Sequence, residues 1–279
     1  MYRQNTDEAI ARLDDQLTRY RTFADGRLGA WSTVVGHTTC SDPLWKAARE
    51  LADSHDVGLS FHMSPAKSDP DGFIAEFGQR PFEHLDEIGV LGDDACATHC
   101  VHVDDREIDA MARTGTSVAH CPTTALKAAT ASPRSARCPK WCSAASTSRI
   151  GTDGNNASNY SDPMQATYLV AGLFKDGRTD PQMFPRRRRS RWPPSAVRWS
   201  MTLDDQIGSL EVGKRVDVVL HDTDRPEWRP LFNAVNQLVW SADGRGVHTV
   251  LVDGRVVVED GHMTTIDLKP RSGRRPRNA

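Results

Sequence analysis

Four short segments place imidazole or carboxylate groups directly after apolar runs. They are Gly58-Leu-Ser-Phe-His62-Met-Ser64, Ala95-Cys-Ala-Thr-His99-Cys-Val-His102, Val118-Ala-His120-Cys-Pro-Thr123 and Ile150-Gly-Thr-Asp153-Gly-Asn-Asn156-Ala-Ser-Asn159. Imidazole and carboxylate are the side chains that ligate divalent metals and move protons near neutral pH. A short apolar run bounded by turn residues is the pattern of a buried strand. Each polar group would then stand at the C-terminal end of a strand, the end at which a (β/α)8 barrel builds its active site. Taken alone, a histidine at a strand end is more often a structural donor than a ligand, so each position needs its context.

The elements that must hold these groups alternate between two periods. Thr6 to Ala24 carries Ile10, Leu13, Leu17 and Tyr20 on one helical face, and Leu28 to Val35 reads as a strand. Ser41 caps a helix that begins Asp42-Pro-Leu-Trp, and the strand Val57 to Phe61 follows it and delivers His62. A loop containing Pro65, Pro70 and Gly72 leads to a helix over Pro81 to Ile88, with His84 expected on its solvated side, and then to the strand Ala95 to Cys100. Asp104 to Gly115 reads as a helix ended by its glycine, and Ser117 to His120 as the next strand. Strand and helix in alternation predict parallel βαβ units and an α/β fold. Beyond residue 200 the pattern changes to short β-rich runs with glycine turns, Ile207 to Leu220 and Val247 to Gly261.

With 279 residues the chain can bury one sizeable core, and its net charge of -2 gives no global attraction to nucleic acid or an anionic membrane. No apolar stretch approaches the roughly 20 residues of a membrane span, and Met1-Tyr-Arg-Gln-Asn-Thr-Asp7 lacks the apolar core of a signal peptide. The expectation is a cytoplasmic protein with a small-molecule substrate, compatible with a homo-oligomer, and with no nucleic-acid or membrane partner. The six cysteines show no paired Cys-x-x-Cys spacing, so they are expected to be reduced packing residues.

In residues and order the segments resemble the metal-dependent amidohydrolase superfamily, in its branch of cytosine, guanine and S-adenosylhomocysteine deaminases and triazine hydrolases. The resemblance runs with interruptions from about Asp25 to Asp267. It implies a partial (β/α)8 TIM-like barrel over residues 1–200, remnant C-terminal β-sandwich strands over 201–268 and a basic tail over 269–279. It also implies hydrolysis of a C–N bond on a heterocyclic ring, most simply a deamination; a triazine-type chlorohydrolase, an amidase or an inactive remnant are the alternatives. By position, His62 and Asp153 would hold a divalent metal, zinc first and iron second, and Asp153 would also accept a proton. His99 would polarise the substrate, and His37 and Asn156 would line its pocket. His102 and His120 are expected to serve the loops above the barrel.

Two family positions are not matched. The His-x-His pair that ends the family's first strand does not occur before His62, so the chain is expected to be N-terminally truncated and its metal site under-supplied. Pro65 stands three residues after His62, where the family has a proton-shuttling Glu. Two stretches, 131–149 and 186–200, have neither helical nor alternating periodicity. With permitted codons, reading each from the third base of its first codon restores family-like sequence: Val-Pro-Glu-Met-Val-Leu-Arg-Gly-Val-Asn-Val-Ser before Ile150, and Glu-Lys-Ala-Leu-Glu-Met-Ala from position 186. Both are therefore expected to be frameshifted, and to be irregular in the fold. The Arg186-Arg-Arg-Arg189 run, lacking interleaved aromatics, is weak evidence for nucleic-acid binding.

Overall fold

The computed structural model describes residues 5–21, 23–36, 39–130, 148–183, 203 and 205–267. Five parallel strands form one sheet in chain order: β1 (Ser32–Gly36), β2 (Leu59–Met63), β3 (Ala95–His99), β4 (Ser117–His120) and β5 (Ser148–Ile150). Parallel strands in sequential order are what successive βαβ units produce, and the helices named below pack into one apolar core with the sheet. Leu59, Phe61 and Met63 of β2, Ala95 and Ala97 of β3, and Val118 of β4 are fully buried in one apolar core. Trp45 joins that core from α2 (Asp42–His55), Phe73 from α3 (Ser68–Phe77), and Phe82 and Leu85 from α4 (Pro81–Glu87). Further along the chain, α5 (Asp105–Thr114) adds Ile108 and Met111, and α8 (Pro163–Arg178) adds Val170 and Phe174. The remaining helices of this part are α1 (Thr6–Tyr20), α6 (Pro122–Lys127) and α7 (Asn155–Ser158).

Local chemistry accounts for the helix ends. The Asp104 side chain accepts from the Glu107 amide and Glu107 returns a bond to the Asp104 amide, while Gly115 closes α5 at φ 79°. Asn5 caps α1 by accepting from the Glu8 amide at 2.7 Å. The fully buried Glu107 carboxylate also takes Arg80 Nε at 2.7 Å, which ties the start of α4 to the start of α5. An ion this deep is tolerated because it is paired and hydrogen-bonded.

By the strand register, the opposite face of the sheet carries Ser60 and His62 of β2, Cys96 and Thr98 of β3, Ser117 and Ala119 of β4, and Arg149 of β5. Arg149 is a misfit there. It is 5 % exposed, and none of its three guanidinium nitrogens has a hydrogen-bond partner among the described residues. Burial lowers its pKa to about 10.

Beyond residue 200, β6 (Val218–His221), β7 (Val247–Val252), β8 (Arg255–Glu259) and β9 (His262–Met263) form an antiparallel sheet in chain order. It meets the first part where α9 (Ala234–Trp240) packs along α8, with Trp240 against Tyr168 at 5.6 Å between ring centroids, and where Asp162 accepts from the Gly244 amide. Remnant sandwich strands were expected here, and among the described residues β6 to β9 make one sheet on which Val219, Leu220 and Val256 are exposed. The parallel sheet has five strands, and its edge strands β1 and β5 do not pair with each other among the described residues.

Two local readings are corrected. The stretch expected to be a loop around Pro70 and Gly72 contains α3, because Pro70 falls in the first turn, where its missing N–H costs no helical bond. His84 is not solvated: it is 5 % exposed, bonds Asp42 at 2.8 Å and stacks on Phe77 at 4.0 Å. Residues 131–147 and 186–200 lie outside the described residues; Ser148 and Arg149, also expected to be irregular, open strand β5. No helix among the described residues is long and apolar enough to cross a membrane.

Candidate metal centre

The site lies at the C-terminal ends of β2, β3 and β5. His62 is the fourth residue of β2, on the face away from the helices, and its Nδ1 lies 3.0 Å from the Val35 carbonyl. A carbonyl only accepts, so Nδ1 carries the proton and Nε2 keeps its lone pair for a ligand. Gly36 makes this approach possible: at φ 82° its backbone runs so close to β2 that a Cβ would sit 2.2 Å from the His62 carbonyl oxygen.

His99 ends β3, and its ring stands 5.3 Å from that of His62 between centroids. The backbone there is left-handed at two successive non-glycine residues, His99 at φ 80° and Cys100 at φ 50°. Such conformations cost roughly 1–3 kcal/mol each and persist only where the surroundings impose them. Here they are imposed by a ladder of strand-end bonds. The Cys100 amide donates to the Met63 carbonyl at 3.0 Å, and the Val101 and His102 amides both donate to the Ser64 carbonyl.

Asp153 follows β5, also left-handed at φ 62°. Its Oδ1 accepts from the Gly154 amide at 2.6 Å, and its Oδ2 faces His99 Nε2 at 3.8 Å. Ligand atoms of His62, His99 and Asp153 all lie within 4.8 Å of one another, and no other such group of three occurs among the described residues. Two imidazole nitrogens and one carboxylate oxygen are a zinc-type donor set, and three protein ligands with one open position is the composition of catalytic zinc sites. Ligands at about 2.0–2.1 Å from one ion fit after a contraction of the widest separation. The residues present therefore fit a divalent metal.

Neighbouring groups are held neutral. His120, 2 % exposed, packs on Phe174 of α8, and burial lowers its pKa to about 4 against the opposing effect of a hydrogen bond to the His99 backbone. Burial, reinforced by the Asp153 charge, raises the Cys121 thiol to about 12, and burial raises Cys100 as well. Neither thiol is a thiolate near neutral pH, so neither competes as a nucleophile or ligand.

Of the residues singled out in the sequence, His62, His99 and Asp153 are brought together. His102 points elsewhere, with Nε2 at 2.7 Å from the Thr130 carbonyl. Asn156 is exposed on α7. His37 lies outside the described residues. The sequence reading gave His99 to the substrate, and its ring stands beside both His62 and Asp153, within 4.8 Å of a donor atom of each. The missed signal was partly visible, since β2 and β3 pair with Met63 opposite His99, but the left-handed turn that aims the ring leaves no mark in residue type.

Residues 3–180 match the model of the amidohydrolase family. A 5-methylthioadenosine/S-adenosylhomocysteine deaminase of Desulforudis audaxviator is 31% identical over 95% of this chain and 61% of that protein. A 5'-deoxyadenosine deaminase of Methanopyrus kandleri is 34% identical over 82% of this chain and 52% of that protein. Among solved structures, an adenosine deaminase from Xanthomonas campestris with bound zinc is 27% identical, superposes with a TM-score of 0.86, and is matched over 94% of this chain and 58% of that one. The fold is shared by an atrazine chlorohydrolase from Arthrobacter aurescens complexed with zinc, at a TM-score of 0.81 and 19% identity, over 95% of this chain and 58% of that one. The chain thus spans between half and two thirds of the length of these relatives.

Proposed function

The chain belongs to the amidohydrolase family, and from that premise we propose that it is a metal-dependent hydrolase of C–N bonds that deaminates a heterocyclic, adenosine-like substrate. The observation that carries this reading is the convergence of His62, His99 and Asp153 within 4.8 Å at the strand ends. Zinc is the first candidate and iron the second, on those three residues. When bound, such an ion supplies Lewis acidity that brings the pKa of water to about 7 and polarises the group under attack.

The chain's own residues do the rest. The Val35 carbonyl fixes the His62 tautomer, and Gly154 occupies one oxygen of Asp153, leaving Oδ2 to accept a proton. His99 stands where it can also hold charge on the substrate. Pro65 cannot exchange a proton, so the chain offers no acid–base group three residues beyond His62. That absence favours a second reading, an inactive relative that keeps the metal ligands without turnover.

We propose further that residues 1–200 form a barrel part and 201–268 a separate β-rich segment, and that 131–149 and 186–200 stand in a displaced reading frame. Arg149 supports the last point: the alternative frame ends in Ser, a side chain that would not strand a buried guanidinium. Sequencing the gene decides it, and the frame already written, read again without change, ends the idea.

Metal analysis of the purified chain together with ammonia release from adenosine, 5'-deoxyadenosine, 5'-methylthioadenosine and S-adenosylhomocysteine tests the function. About one zinc or iron per chain with release of ammonia supports the enzyme. Metal without turnover favours the inactive relative, and a chain that takes up no metal defeats both.

A further inference from the structure

We propose that His120 is a positioning residue for this metal site, using a ring hydrogen bond to hold the left-handed turn that aims His99 at His62 and Asp153. The inference rests on the metal-site reading above. Three observations lead to it. His99 and Cys100 occupy φ values of 80° and 50°, so the His99 imidazole is aimed by an unfavourable backbone conformation rather than by the strand itself. Thr98 pairs with Ala119, which sets His120 beside His99 one step further along. There the His120 ring donates a hydrogen bond to the His99 backbone.

The ring cannot easily leave this place. It is almost wholly buried, with Phe174 at 5.8 Å between centroids, and the His120 carbonyl accepts from the Gly151 amide at 2.8 Å. Gly151 lies two residues before Asp153. His120 is therefore bonded on one side to the backbone of His99 and on the other to the strand that carries Asp153. It is not one of the three grouped donors, and it links the two ligand-bearing strands that β4 separates. Supporting groups of this kind typically change metal affinity by roughly 10–100-fold.

The test compares His120→Gln with His120→Met. The two side chains are alike in length, and Gln keeps an N–H donor while Met has none. Cobalt(II) titration, read by visible absorption, and zinc affinity by chelator competition report on the site without any need for turnover. The expected result is a loss of roughly 10–100-fold in affinity for His120→Met, with an altered cobalt spectrum, and rescue to within a few-fold by His120→Gln. Phe174→Leu, which loosens packing around the ring but leaves the bond, should bind as the parent does. If His120→Met does not fold, His120→Ala, equally without a donor, takes its place in the comparison.

Parent-like affinity in the donor-free variant, or equal losses in the Gln and Met variants, overturns the positioning role while leaving the metal site intact. A parent protein that binds no cobalt, or whose binding is unaffected by His62→Ala, overturns the metal-site reading itself.

Discussion

The His99 imidazole and the Asp153 carboxylate face each other at 3.8 Å although their strands are not neighbours: β4 runs between them. The pair meets where His99 ends β3 and Asp153 stands three residues past β5, both in left-handed conformations.

Asp153→Asn tests the carboxylate with little disturbance to the fold. Asn tolerates φ 62° as well as Asp does and can keep an oxygen for the Gly154 amide. Zinc affinity should fall by at least the roughly 10–100-fold that loss of a supporting group costs, while thermal unfolding of the metal-free protein stays where it was. Unchanged zinc affinity would remove Asp153 from the site.

Gly36→Ala should damage the site from outside it. The added methyl would meet the His62 carbonyl at 2.2 Å and require φ 82° of a residue that disfavours it. A cost of about 1–3 kcal/mol in urea unfolding is expected, together with weaker metal binding as β1 and β2 move apart. Parent-like stability would mean that the two strands are less tightly apposed than described.

Arg149→Leu should stabilise the protein. It replaces an unpartnered buried guanidinium with an apolar group, and an unmet polar group costs roughly 1–3 kcal/mol. A shift of the urea midpoint to higher concentration is the expected reading, and a shift to lower concentration would reveal a partner for Arg149.

Acid should unfold the metal-free protein in a window set in part by His120. Above pH 6.5 the ring is neutral in both folded and unfolded chains. Between 6.5 and about 4 the unfolded chain takes up a proton that the buried ring refuses, so stability falls as pH falls, by up to about 3 kcal/mol from this group. In His120→Gln the stability measured from pH 7 to 4 should decline less steeply; an equally steep decline assigns the acid sensitivity to other groups.

Pro65→Glu is expected to raise turnover on adenosine-like substrates by roughly 10²–10⁴-fold where the site is otherwise competent, since that is the range of general acid–base help. Kinetics that do not change with this substitution would show that position 65 lies outside the proton path.

Much of the parallel sheet was legible because β2, β3 and β4 are short apolar runs and some helix ends carry clear caps: Asp104 with Glu107, and Gly115 at the end of α5, are local signals. The α3 helix was missed because Pro70 and Gly72 read as breakers when the first turn in fact accommodates the proline. His84 was misjudged because its partners, Asp42 and Phe77, come from other helices, and a long-range bond leaves no trace in spacing. His62, His99 and Asp153 could be picked out as residues. Their mutual distances depend on a register and on backbone turns that residue type does not encode.

The chain-order arrangement of β1 to β5 has a temporal side. Each strand pairs with the one synthesised just before it, so the sheet can be laid down one strand at a time as the polypeptide emerges, without waiting for distant sequence. The three ligands do not share that schedule. His62 and His99 meet once β3 is in place, but Asp153 arrives only after β5 has docked on β4. A growing chain therefore passes through a stage that presents two imidazoles without the carboxylate, and tight metal capture belongs to the end of sheet assembly rather than to its nucleation.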